Sequence, residues 1–121
     1  MIGYVTLGTN NFDAAAKFYD ELLGEIGAKR FMDMGTFIAW STSPGKPSLA
    51  ITKPFNKEQA TVGNGTMVAL FVDSQDKVNA IYEKAITLGG TDEGKPGLRG
   101  GSFYAGYFRD LDGNKLNIFT M

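Results

Sequence analysis

A strand followed by a helix occurs twice in this chain, and no other feature constrains the fold as strongly. Alternating apolar residues predict a strand at Ile2–Gly8, and helical spacing predicts a helix at about 12–23; the second copy is Thr66–Asp73 and about 75–88. A shift of 63 positions aligns the copies, with identities at matching structural positions: Val5 and Val68, Leu7 and Leu70, Asp13 and Asp76, and Tyr19 and Tyr82. We therefore interpret the chain as an internal repeat.

Each copy is followed by further strand candidates. Turn sequences separate three of them after the first helix: Ala28–Asp33, Thr36–Ser41 and Ser48–Lys53. Residues 53–65 lack periodicity and predict a linker, and Thr91–Gly101, with four glycines and one proline, predicts a loose connection. The chain then ends in a predicted β-hairpin, in which strands Phe103–Phe108 and Lys115–Phe119 flank a turn at 110–114.

This order of elements predicts an α+β fold of two βαβββ modules, about 1–55 and about 66–121, in a single domain 1–121. We expect an eight-stranded, mixed, curved sheet with the helices on its convex side and a cup on its concave side. Alternation along the strands places one set of side chains toward the helices: Val5, Leu7, Leu49, Ile51, Val68, Leu70, Leu116 and Ile118. The set between them faces the cup: Tyr4, Thr6, Ala50, Thr52, Met67, Ala69, Asn117 and Phe119. A ferredoxin-like sandwich is the alternative, but it has fewer strands between its helices than this sequence indicates.

The composition excludes several classes of function. The chain has no cysteine and no histidine, so disulfides are impossible and a metal site would have only oxygen ligands. Its 12 basic and 13 acidic residues are interspersed and give a formal net charge of −1, which argues against a nucleic-acid partner. No signal peptide and no membrane span is evident, so we expect a cytoplasmic protein without a membrane partner.

Three segments resemble the vicinal oxygen chelate superfamily, which contains glyoxalase I, bleomycin-resistance proteins, fosfomycin-resistance enzymes and extradiol dioxygenases. The first runs from Tyr4-Val-Thr-Leu-Gly8 through Phe18-Tyr19 to Leu22-Leu23-Gly24 and is similar to the family's opening strand and FYxxxLG helix. Met67-Val-Ala-Leu70 restarts the pattern, and the segment 110–116 resembles the terminal DPDGNxxE hairpin, with Leu111 in place of proline. The resemblance spans nearly the whole chain and implies a cup that takes a small molecule.

The same resemblance implies where metal-dependent relatives carry their four ligands. Those positions correspond to Tyr4, Ala50, Met67 and Asn117 in this sequence, and none of the four is a typical ligand for a divalent cation. We therefore expect a cup without a metal or other cofactor, which puts glyoxalase, dioxygenase and fosfomycin-transferase chemistry in doubt because each relies on a metal.

Seven residues are candidates for ligand binding: Tyr4, Thr6, Trp40, Met67, Arg99, Tyr107 and Asn117. Alternation points most of them into the cup, and the resemblance to fosfomycin enzymes implies substrate contacts at Thr6 and Tyr107. Arg99 lies in a glycine-rich segment and is interpreted either as an anion clamp on a lid or as a surface charge. Trp40 is expected either to wall the pocket or to lie in the core.

Two functions fit this sequence, and a third reading is structural. The first is a metal-free protein that binds an aromatic or otherwise apolar small molecule, similar to the bleomycin-resistance branch. The second is a lyase or isomerase in which Tyr107 or Tyr4 acts as an acid. The third is a structural or regulatory module with a filled cup. The resemblance alone implies a homodimer.

Overall fold

The computed structural model describes residues 1–121 and contains two helices and eight strands. The strands are β1 (Tyr4–Gly8), β2 (Lys29–Asp33), β3 (Phe37–Ser41), β4 (Ser48–Thr52), β5 (Val68–Phe71), β6 (Thr91–Leu98), β7 (Tyr104–Arg109) and β8 (Lys115–Thr120). Helix α1 (Phe12–Gly24) follows β1, and helix α2 (Gln75–Thr87) follows β5. The order is βαβββ twice, so the two predicted modules and the α+β class are confirmed.

The residues group into two compact units, Met1–Val62 and Gly63–Met121, each with one helix and one four-stranded sheet. The strand order is β1-β4-β3-β2 in sheet 1 and β5-β8-β7-β6 in sheet 2. In both sheets the first strand of the unit pairs in parallel with the last, and the other pairs are antiparallel. Neither helix is long and apolar enough to cross a membrane.

Both helices begin with an oxygen side chain at the N-cap. The Asn11 side chain accepts from the Ala14 amide, and the Ser74 hydroxyl accepts from the Lys77 amide. Each satisfies a backbone donor that the helix itself leaves without a partner. The predicted helices therefore begin where the sequence places them, although α1 extends through Gly24, which was predicted to end it.

One face of each sheet is covered by the helix of its own unit. In unit 1, Leu22 and Leu23 of α1 are buried, as are Ile38 of β3 and Ile51 of β4. In unit 2, Val78, Ile81 and Ala85 of α2 are buried together with Phe108, Leu116 and Ile118. The alternation of strand side chains then directs the neighbouring residues to the opposite side of the sheet, which we call the open face.

The segment Thr91–Gly101 differs from its prediction. It was expected to be a loose connection, but Thr91–Leu98 forms β6, which pairs with β7 through two irregularities, between Asp92 and Gly94 and between Gly94 and Gly97. Glycine and proline weaken strand propensity, and here the pairing with β7 outweighs that local preference.

The turn between β7 and β8 is organised by Asp110. Its Oδ1 accepts from the backbone amides of Asp112 and Asn114, both at 2.9 Å, and its Oδ2 accepts from Asn114 Nδ2 at 3.0 Å. Gly113 has a φ of 91°, which a residue with a side chain rarely adopts. Asp110 therefore holds the hairpin in register, as turn chemistry predicts for this position.

Helix α2 is joined to β6 by a hydrogen bond in which the Tyr82 hydroxyl donates to Asp92 Oδ1 at 2.7 Å. Burial, reinforced by this bond and by the nearby negative charge of Asp92, raises the pKa of Tyr82 to about 12. The folded state therefore favours the protonated phenol. Its stabilising contribution is complete below the ordinary value of 10.0 and is lost as the pH rises toward about 12.

Replacing Tyr82 with phenylalanine is expected to lower the free energy of unfolding by roughly 1 kcal/mol at neutral pH, because the hydrogen bond to Asp92 is lost. The difference from the wild type should shrink as the pH rises from about 10 to about 12, as urea unfolding at a series of pH values would measure. Tyr104→Phe is the matched control, since that hydroxyl donates to the amide oxygen of Asn79. A constant difference across this pH range would contradict the prediction.

Candidate functional site

The open face of sheet 1 carries Tyr4 and Thr6, two of the predicted binding residues. They lie on β1, where Tyr4 pairs with Ser48 and Thr6 with Ala50 of β4. The Tyr4 ring meets the Phe37 ring edge to face, with centroids 6.1 Å apart, and Tyr4 is 62% exposed. Phe37 was not predicted, although its position in β3 places it on the same face.

Unit 1 has two clefts that are not lined by Tyr4 or Thr6. One, of about 480 Å³, borders the connection between β3 and β4 and includes Lys29, Ser41 and Lys46. The other, of about 770 Å³, follows β4 and includes Lys53 and Phe55. Neither cleft was anticipated from the sequence, because their lining comes mainly from turns.

Trp40 is a core residue, which corrects its place among the binding candidates. It is 1% exposed and pairs with Leu49, so it lies on the side of sheet 1 that α1 covers, where its ring is 5.8 Å from that of Tyr19. Its Nε1 donates to Asp20 Oδ1 at 2.9 Å. Of the two interpretations open at Trp40, the structure therefore selects the core.

Asp20 connects Trp40 to Arg30 across the surface of unit 1. Arg30 donates from Nε to Asp20 Oδ1 at 2.8 Å and from Nη2 to Oδ2 at 2.7 Å, and from Nη1 to Asp33 Oδ2 at 3.0 Å. The hydrogen bond from Arg30, supported by that from Trp40, lowers the pKa of Asp20 although burial opposes the shift. The same carboxylate raises the pKa of Arg30.

The open face of sheet 2 brings together Arg99, Tyr107 and Asn117, three more predicted residues. Tyr107 of β7 pairs with Asn117 of β8, and Phe108 is fully buried on the helix side, as alternation predicts. The Arg99 guanidinium carbon lies 5.5 Å from the centroid of the Tyr107 ring. Met67, which immediately precedes β5, is 42% exposed.

Asn117 is 1% exposed, and its Nδ2 donates to the Gly106 carbonyl oxygen of β7 at 3.1 Å. A buried side-chain amide needs a hydrogen-bond partner, which can be a ligand or the backbone. In this structure the Asn117 amide nitrogen uses the backbone.

Arg99 is not on a loop remote from the sheet. It directly follows β6, its backbone amide donates to the Phe103 carbonyl oxygen at 2.8 Å, and its side chain donates to the Lys95 carbonyl oxygen. A Cβ at Gly94 would lie 3.2 Å from Tyr107 Cδ1, and one at Gly97 would lie 3.0 Å from Arg99 Nη1. These glycines therefore allow the guanidinium to lie against the sheet beside Tyr107.

Alternation along the strand already placed Phe119 on this face, and the structure adds Lys115, Phe71 and Phe103. The Lys115 Nζ lies 5.6 Å from the centroid of the Tyr107 ring. The Phe119 ring lies 5.7 Å from that of Phe71 and 5.2 Å from that of Phe103. Alternation could have identified all three, since Lys115 lies two residues from Asn117, Phe71 two residues from Ala69, and Phe103 four residues from Tyr107.

The residues at these faces do not fit a divalent metal. Tyr4 and Ala50 lie on the open face of sheet 1, and Met67 and Asn117 belong to unit 2; they offer a phenol, a methyl group, a thioether and an amide. No group of three or more histidine, cysteine, aspartate or glutamate side chains lies together in a way that could hold a metal ion. Without charged oxygen ligands a divalent cation has little to replace its hydration shell.

A family model described as the glyoxalase/bleomycin resistance protein/dioxygenase superfamily matches residues 1–118. The chain belongs to this superfamily. It is similar to the crystal structure of a glyoxalase/bleomycin resistance protein from Albidiferax ferrireducens T118, with 34% identity over 100% of this chain and 98% of that chain and a TM-score of 0.92.

More distant structures share the fold. A glyoxalase-related enzyme from Fulvimarina pelagi is 20% identical over 100% of this chain and 88% of that chain, with a TM-score of 0.80. A lactoylglutathione lyase from Agrobacterium tumefaciens is 17% identical over 99% of this chain and 92% of that chain, with a TM-score of 0.73. No curated protein matches the chain significantly.

The contact between Asp20 and Trp40 gives a test of the core of unit 1. Asp20→Ala is expected to lower the free energy of unfolding by about 2 to 3 kcal/mol, because a buried indole N–H and a guanidinium lose their acceptor. Asp20→Asn should cost less, since its amide oxygen still accepts from Trp40. Trp40 is the only tryptophan, so its fluorescence during denaturant unfolding reports the change.

The contact between Asp20 and Trp40 also predicts how the stability of unit 1 changes at acid pH. Because the folded pKa of Asp20 lies below its ordinary value of 3.8, its stabilising contribution is present above pH 3.8 and is lost as the pH falls through the folded value. The difference between wild type and Asp20→Asn should therefore shrink in this acid range. A difference that stays constant there would show that the charge of Asp20 does not stabilise unit 1.

Proposed function

We propose that this member of the superfamily binds a small organic molecule on the open faces of its sheets and does so without a divalent metal. The observation that carries the proposal is the chemistry of the four positions that correspond to the metal ligands of relatives. Tyr4, Ala50, Met67 and Asn117 supply no charged ligand, and the amide of Asn117 is used by the backbone of β7.

The surfaces around these positions support binding of an organic molecule. Tyr4 and Phe37 present aromatic rings on sheet 1, and Tyr107 presents one on sheet 2. Exposed aromatic rings beside a few polar groups are typical of surfaces that recognise small molecules. Among the predicted binding residues, Tyr4, Thr6, Met67, Arg99, Tyr107 and Asn117 remain candidates for ligand contact.

The proposal has a direct test in two measurements on the purified protein. Metal analysis is expected to find no stoichiometric zinc, nickel, manganese or iron. A library of aromatic and aliphatic fragments, followed by shifts of backbone amides in NMR spectra, should give ligands whose shifts cluster on β1 and β4 or on β7 and β8. These shifts should be unchanged by EDTA. A tightly held metal, or ligand shifts that require added metal, would overturn the proposal.

A lyase or isomerase that uses Tyr107 or Tyr4 as an acid is the second candidate. The contacts of Tyr107 favour binding instead, because the groups that approach its ring are the cations of Arg99 and Lys115, and no carboxylate contacts its hydroxyl.

Incubation of the protein with each NMR-identified ligand, followed by mass spectrometry of the small molecule, separates the two candidates. We expect the ligand to be recovered unchanged. Conversion that is lost in Tyr107→Phe, while the ligand shifts persist, would favour the enzyme.

A homodimer is also proposed, on the resemblance and on the edge strands of the two sheets. Strand β1 lies at one edge of sheet 1, and β5 lies at one edge of sheet 2. Edge strands present backbone groups that can pair with another chain. Sedimentation velocity is expected to give twice the chain mass of 13.1 kDa at micromolar concentration, and a species of 13.1 kDa alone would contradict the dimer.

A further inference from the structure

We infer that the open face of sheet 2 selects an aromatic carboxylate, with the carboxylate held beside Tyr107 and the aromatic body on a cluster of phenylalanines. The inference rests on the proposed function and adds the chemical class of the ligand. It follows from a charged end and an apolar end that lie side by side on the same three strands, β6, β7 and β8.

The charged end consists of two cations that converge on one tyrosine ring. Gly94 of β6 pairs with Tyr107. A Cβ added at Gly94 would lie 3.4 Å from Arg99 Nη2, so the Arg99 guanidinium approaches the Tyr107 ring from the β6 side. Lys115 belongs to β8 and approaches from the other side. Both cations lie within about 6 Å of the ring centroid, the range of a cation–π contact.

Neither cation has a carboxylate partner. Arg99 donates to the Lys95 carbonyl oxygen, and Glu93 of β6 is already paired with Arg109. Two positive charges that share one neutral ring repel each other, and a carboxylate at the edge of that ring, within reach of both cations, would relieve this repulsion. Arginine in particular can donate two parallel hydrogen bonds to a carboxylate.

The apolar end is formed by Phe71, Phe103 and Phe119. The Phe119 ring contacts both of the others, and Phe71 is 59% exposed. An aromatic ring of a ligand could pack on these rings in the same tilted or edge-to-face arrangements that they use with one another. Burial of Phe71 against such a ligand would remove one of the largest exposed apolar side chains of unit 2 from water.

The spacing of the two ends sets the length of the ligand. Tyr107 pairs with Asn117, and Phe119 pairs with Ala105, so the two ends are separated by two residues along β8, roughly 7 Å. Ala105 and Asn117, which are in register with these ends, are buried and add no exposed side chain to the surface between them. A carboxylate joined to an aromatic ring through a short alkyl chain, as in 3-phenylpropanoate, spans this distance better than benzoate does.

Isothermal titration with three probes tests the inference: 3-phenylpropanoate, the neutral 3-phenylpropan-1-ol, and benzoate. The wild type is expected to bind 3-phenylpropanoate at least about tenfold more tightly than the alcohol, as hydrogen bonds to charged groups predict. It should also bind it more tightly than benzoate. The preference for the carboxylate over the alcohol should weaken at high salt.

Two kinds of variant assign the preference to the two ends of the face. Arg99→Gln combined with Lys115→Gln should abolish the preference for the carboxylate, so that 3-phenylpropanoate binds no more tightly than the alcohol. Phe71→Leu, at an exposed position that folding does not require, should weaken both aryl ligands alike. Lys77→Gln is the matched control, because Lys77 lies on α2, pairs with Asp73 and is on the covered side of the sheet; it should keep the wild-type preference.

Several outcomes would overturn the inference. These are equal affinity for carboxylate and alcohol, a preference that survives loss of both cations, or no binding of any of the three probes up to millimolar concentration. If the fragment library still gives metal-independent ligands on these sheets, the proposed function stands and only the ligand class fails. If the library gives none, the proposed function fails as well.

Discussion

Each four-stranded sheet packs one face against the helix of its own unit, and this packing decides which side chains lie on the other face. Apolar side chains on the covered side, such as Phe108 and Ile118, are fully buried against α2. Since side chains alternate along a strand, fixing those residues inward also fixes Tyr107 and Asn117 outward. The hydrophobic effect on one face therefore determines which residues are available on the other, without any interaction on the open face itself.

The open faces belong to the framework of the superfamily, and the side chains on the open face of sheet 2 are aromatic, neutral or cationic. In unit 2, the amide of Asn117 is bonded to the backbone of a neighbouring strand, so this position supports the sheet. The charges nearby come from Arg99 and Lys115, which attract anions, whereas a metal site needs negatively charged ligands.

Two departures from the sequence predictions have the same origin in strand pairing. The glycine-rich segment 91–101 has weak intrinsic preference for a strand, yet β7 supplies an extended partner and β6 forms along it with two irregularities. Those irregularities shift the alternation of side chains along β6, so the face of the sheet on which Arg99 lies could not be predicted by counting residues. Trp40 lies in a strand that is apolar on both faces, and only its pairing with Leu49 assigns it to the core.

The sequence by itself determined the repeated βαβββ order, the two helices, the turn at 110–114 and the alternation in β8 that sets Asn117 apart from Leu116. These follow from periodicity and local hydrogen bonding, which act over a few neighbouring residues. Only the tertiary structure decided that Trp40 is bonded to Asp20, and that Arg99 and Lys115 meet at Tyr107. Those contacts join residues that are distant along the chain, and their partners are set by strand register, which no local pattern encodes.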